Sequence, residues 1–219
     1  MPHPKILTYN RMGGCEYFIA KTFAHLLGGL VVTGVSAENP VLSNIDKKPL
    51  TNLLVFFISL ALLYLTLGAE PGIFKYLVFS LFCIVFGQGL IGTVNRLNLK
   101  GNLNDVMFNV GLVFSTMAIL GIVDNQNLLS WGNYLYACLF ILLISFVISS
   151  FLPTDEQKKE GYNIWLNRIM VVLFALFIGF DVEVLKENAK RCKNPDYVNE
   201  SINLYLDIVN LFRGFAGSD

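Results

Sequence analysis

The stretch Ile202–Phe212, INLYLDIVNLF, sets a carboxylate, Asp207, in the middle of an apolar run. A helix in water would turn Asp207 outward, whereas a helix in lipid must turn it inward, so the solvent decides the reading. Of the 219 residues, 54% are hydrophobic and 15% charged, with a mean hydropathy of +0.58; soluble domains carry roughly 25% charged residues. The apolar residues gather in seven runs, at about 17–37, 50–69, 73–94, 105–123, 129–152, 164–180 and 202–216. A helix needs roughly 20 such residues to cross a hydrocarbon core of about 30 Å. Every backbone polar group in lipid must be satisfied within the segment, and runs this long and continuous suit helices rather than tilted barrel strands. The expected fold is an all-α integral membrane protein, a seven-transmembrane-helix bundle forming a single polytopic domain over residues 1–219, with the lipid bilayer as its first partner.

The connections read as short: Glu38–Pro49, Glu70-Pro71-Gly72, Asn95–Asn104, Asp124–Asn127, Pro153–Asn163 and the longer polar Lys186–Glu200. The first run contains Lys21 and His25 and lacks a small-residue cleavage pattern, so it reads as a retained span. The alternating loops collect Lys and Arg evenly, so the positive-inside rule does not orient the chain, although Lys186, Lys190, Arg191 and Lys193 lean one side toward the cytoplasm. Cys15, Cys83, Cys138 and Cys192 form no CxxC pair and read as small apolar residues. "GQGLIG", Gly87–Gly92, matches a dinucleotide-binding pattern only in letters, because it lies inside an apolar run rather than after a strand; its small residues read as helix-packing positions. No HExxH, P-loop or GxSxG occurs, and neither an enzyme, a bound cofactor nor a nucleic-acid partner is expected.

The informative residues are the polar groups inside the runs. A charge at the centre of a span costs roughly 2.5–3.5 kcal/mol on insertion scales, and such groups usually face the bundle interior. They are Lys21, His25, Asp105, Arg168, Asp181 and Asp207. Asn203, Asp207 and Asn210 recur at i, i+4 and i+7, which puts them on one stripe of a helix. That stripe reads either as a site facing trapped water or as a satisfied interhelical cluster. Asp181 follows "VVLFALFIGF" and precedes "DVEVLKENAK", where the sixth span is expected to end, so it reads either as a helix-end charge or as a partner of Asp207 across the last connection. Two carboxylates that meet would titrate in coupled steps. They are also hard oxygen ligands suited to Ca²⁺, so Asp181 and Asp207 are the candidate calcium or proton site.

These residues carry a resemblance. "FALFIGFDVEVLKENAK" followed by "ESINLYLDIVNLF" is similar to the C-terminal signature of the Bax inhibitor-1 (transmembrane Bax inhibitor motif) family, and "AKTFAHLLGGLVVTG" extends a weaker likeness to the first span. The resemblance implies a central C-terminal helix wrapped by the others. It also implies a pH-sensitive calcium leak with calcium as the transported ion, and suppression of cell death through lowered calcium stores, with death-regulating membrane proteins as partners. Asp181 and Asp207 then correspond to the family's proton-sensing pair; Asn203 and Asn210, from their spacing on the same stripe, are expected to support it by hydrogen bonding. The implied location is the endoplasmic reticulum or Golgi in a eukaryotic or viral setting and the plasma membrane in a bacterial one. One departure stands out: "YLTLGAEPGIFK" has no arginine at the end of the second span to latch the first aspartate, and Lys75 is the nearby cation available as a substitute. The rival class is a structural or interaction protein of a cellular or virion membrane, in which the aspartates staple two helices together.

Overall fold

In a computed structural model, the described residues are 17–39, 49–123, 128–151, 156–191 and 195–218. Cys15 and Cys192, and the turn expected at Asp124–Asn127, lie outside them. The described residues form eight α-helices: α1 Phe18–Glu38, α2 Pro49–Gly68, α3 Ile73–Gln88, α4 Ile91–Lys100, α5 Leu103–Val123, α6 Gly132–Phe151, α7 Glu156–Arg191 and α8 Tyr197–Ser218. A short 3-10 turn, Leu128–Trp131, leads into α6. By length and composition, Phe18–Glu38, Leu103–Val123 and Leu128–Ser149 each suffice to cross a membrane, and the bent pair α3 and α4 is long and apolar enough only when the two are taken together. The outward faces are apolar, with Leu27, Phe56, Ile73, Phe108 and Ile141 all well exposed, as lipid-facing side chains must be.

Three expectations are corrected. The third apolar run is not one straight span: α3 and α4 meet at a bend of 49° at Gly89-Leu90. The polar "NRLNLK" read as a loop is the second half of α4, which Gly101 closes in the left-handed region (φ 76°), its N–H donating to the Asn98 carbonyl while the Asn102 N–H donates to that of Leu97. This is a glycine C-cap, available because glycine has no Cβ penalty there. The sixth run also does not end at Asp181. It is the middle of α7, 36 residues and therefore about 54 Å long, well beyond the hydrocarbon core. Its C-terminal extension stays helical because Val182 and Leu185 bury one face against the bundle while Lys186 caps α5 through a bond to the Ile122 carbonyl (2.9 Å).

The C-terminal helix is the central one. α8 packs against α1, α3, α4, α5 and α7, while α2 and α6 rest on α3 and α7. Tyr205 anchors it: fully buried, ringed by Phe79, Phe82 and Phe86, with its hydroxyl 2.6 Å from Thr33 Oγ1 on α1. Between helices in lipid such packing and hydrogen bonding replace the hydrophobic drive of water. Of the glycines in "GQGLIG", Gly87 fills the packing role: a Cβ there would lie 2.5 Å from the Thr33 carbonyl oxygen, so α1 and α3 touch along their backbones. Gly92 has open space around it.

Candidate functional site

α7 and α8 run antiparallel, and three contacts fix their register. At one end the Asn188 amide donates to both Glu200 carboxylate oxygens (3.0 Å each). At the other, the Asn167 amide donates to the Gly217 carbonyl (2.9 Å), and Gly214 lets Val171 and the Asn167 backbone come close enough that a Cβ would clash. Between these ends, seven residues from Asn188 and seven from Glu200, Asp181 and Asp207 face each other within hydrogen-bonding reach. Both are buried. Asp207 Oδ2 has no donor among the described residues. Two carboxylate oxygens turned toward each other are both acceptors, so the contact closes only when a proton or a cation lies between them.

The pair lines a partly open cleft of about 1140 Å³ bounded by α4, α6, α7 and α8. Asn203, Leu206, Asp207, Asn210, Arg213 and Gly217 line it along one stripe of α8, a rise of about 21 Å, so the expected i, i+4, i+7 face is the one turned to the cleft. Asn203 and Asn210 stand beside the pair without bonding to it. Tyr136, on α6, also lines the cleft, close enough to both aspartates to feel their charge, with its ring edge-on to Phe177 at 5.4 Å. Sequence reading missed it, because an aromatic in an apolar run carries no signal of its own.

Lys75 is fully buried but does not latch Asp181. Its ammonium donates to the Asp196 carboxylate (2.5 Å) and to the Ala69 carbonyl (2.8 Å). Asp196 in turn accepts from the Asn199 N–H (3.1 Å), so it caps α8 while holding Lys75. The remaining candidates lie apart from the pair. Asp105 is exposed in the first turn of α5, where the helix dipole favours an anion. Arg168 is exposed over the Trp165 ring. Lys21 lies over the Tyr197 ring, and His25 stacks on Tyr76 and Tyr197 and bonds the Lys21 carbonyl (2.7 Å). Among the described residues no three His, Cys, Asp or Glu side chains cluster as a metal site. Outside the spans, half-burial beside Asn188 and Asp196 holds Glu200 above its usual carboxyl range, desolvation outweighing the Asn188 bonds.

An all-α membrane protein whose central, last helix presents a carboxylate to a second carboxylate on the preceding helix is thereby defined. Residues 15–216 match the family model described as inhibitor of apoptosis-promoting Bax1, and the chain belongs to that family. It is similar to Bax inhibitor 1 of Schizosaccharomyces pombe, 25% identical over 205 residues covering 89% of this chain and 73% of the relative. It is similar also to protein LIFEGUARD 1 of Arabidopsis thaliana, 27% identical over 214 residues covering 91% and 87%. A Golgi anti-apoptotic protein of Vaccinia virus is 35% identical over 81 residues, 37% of this chain and 31% of that protein.

Proposed function

We propose that this protein is a pH-sensitive calcium leak of an internal membrane, crossing it seven times, and that by lowering stored calcium it suppresses cell death. The observation that carries the reading is the buried face-to-face contact of Asp181 and Asp207 on the wall of a polar-striped cleft, with Asp207 Oδ2 lacking a donor. One proton between the carboxylates holds α7 to α8; its loss sets two like charges against each other and favours the separated state. Calcium, as cargo, competes for the same oxygens, with the side-chain amides of Asn203 and Asn210 adding neutral ones nearby. Two carboxylates are too few for a resident ion, which takes 6–8 oxygens, and suit one in passage. The Golgi protein of Vaccinia virus supports an internal membrane and the anti-apoptotic role.

The test is calcium entry into liposomes holding the purified protein, from about pH 8 to pH 5, for the parent, Asp207→Asn and Asp181→Asn. Flux that depends on pH in the parent and loses that dependence in either variant supports the leak. No flux above empty liposomes, in protein shown to be folded, refutes it. The result would favour the second reading, a membrane scaffold whose aspartates staple α7 to α8. That reading has one observation behind it: Lys75 is committed to Asp196, and among the described residues no basic side chain latches Asp181.

A further inference from the structure

The calcium reading uses the aspartate pair and leaves the other end of the cleft unexplained. There, at the C-terminal end of α8, Arg96, Lys100 and Arg213 line the cleft, and among the described residues the carboxylate lining this end is Glu160. Arg213 lies six residues beyond Asp207, about 9 Å along the helix, so the two ends do not neutralise each other directly. A charged residue on a span is ordinarily paired or turned to a water-filled space. Arg213 is exposed to the cleft, and among the described residues no carboxylate or carbonyl binds it. Arg96 is held on the same rim by a bond from one terminal nitrogen to the Ala216 carbonyl (2.7 Å), which leaves other donors of its five free to point elsewhere. The rim lies where α4 and α8 end, beside the N-terminal part of α7. Beside it the cleft wall turns apolar, with Leu139, Leu142, Phe146, Met170 and Phe174 on α6 and α7.

We propose that this end of the cleft is a binding site for an anionic glycerophospholipid, its phosphate on Arg213 flanked by Arg96 and Lys100 and an acyl chain against the apolar wall of α6 and α7. Guanidinium matches phosphate as a two-donor fork, and among the described residues Arg96 and Arg213 outnumber Glu160, which selects a negative headgroup over a zwitterionic one. The wall selects a lipid over a soluble anion, since inorganic phosphate has no use for it. The site stands whether or not the protein conducts calcium.

Native mass spectrometry of the purified protein, exposed to equal amounts of phosphatidylglycerol and phosphatidylcholine, tests it. One phosphatidylglycerol is retained in preference. Arg213→Gln weakens that retention about fivefold, the equivalent of about 1 kcal/mol for one basic residue at a lipid headgroup, and Arg213→Lys restores most of it. Lys100→Gln, on the exposed rim, is read the same way if Arg213→Gln does not fold. Equal retention of the two lipids, or a preference untouched by these substitutions in folded protein, overturns the proposal. Displacement of the lipid by inorganic phosphate or glycerophosphate at comparable concentration also overturns it, and makes the rim a site for a soluble anion.

Discussion

The Lys75–Asp196 pair gives the sharpest quantitative expectation, because its two partners differ in burial. The side chain of Lys75 is 1% exposed and that of Asp196 21%. Replacing Lys75 by Met fills the same space and removes the ion pair and the bond to the Ala69 carbonyl. The carboxylate left behind is in contact with water and keeps the Asn199 N–H, so the cost is that of a lost charge-assisted hydrogen bond, about 1.5–3 kcal/mol. Replacing Asp196 by Asn keeps both shape and helix-capping ability. It leaves an ammonium with almost no solvent facing a neutral amide, the situation that costs about 3–5 kcal/mol when one partner of a buried pair is removed. The expected order of stability is therefore parent, Lys75→Met, Asp196→Asn, with the double variant more stable than Asp196→Asn alone because the stranded charge is gone. Equilibrium unfolding in mixed detergent micelles, followed by loss of helical circular dichroism, measures all four proteins. The reasoning fails if Asp196→Asn costs no more than Lys75→Met, or if the two costs simply add.

Two further outcomes follow from the same geometry. Gly87→Ala places a Cβ against the Thr33 carbonyl and the Ser36 side chain, neither able to move without shifting α1, and lowers stability by about 1–3 kcal/mol, whereas Gly92→Ala, with open space around it, changes little; equal thermal midpoints for the two would mean that α1 and α3 do not touch. Glu200 binds its proton more tightly folded than unfolded, so the folded state holds more protons above the ordinary value of 4.5 and stability falls as pH rises through that region. Glu200→Gln removes this loss, and the gap in thermal midpoint between pH 4 and pH 7 narrows relative to the parent; an unchanged gap would assign the pH dependence to other groups.

The membrane class was legible from composition alone, and Asp181 and Asp207 were legible because a carboxylate in lipid has few places to go. The stripe of Asn203, Asp207 and Asn210 followed from helical periodicity and is the face turned to the cleft. The length of α7 was not legible: "DVEVLKENAK" loses its apolarity where it leaves lipid, yet it stays helical because Val182 and Leu185 continue the buried face. The bend at Gly89-Leu90 was hidden for the opposite reason, since an apolar run keeps its hydropathy across a break in helix geometry. Lys75 read as the cation available to latch Asp181. Its true partner lies 121 residues away, in a segment that looked merely polar, and sequence spacing carries no trace of such a pairing.

The register of α7 on α8 restricts how the aspartates can part. Asn188–Glu200 on one side and Asn167–Gly217 on the other hold the two helices like rungs at both ends of a ladder. A piston stroke of one helix along the other would break both rungs together, whereas bowing or rolling the middle breaks neither. In the proposed leak, parting of the carboxylates is thus decoupled from sliding, and a cross-link introduced at either rung is expected to leave the pH dependence of calcium flux in place.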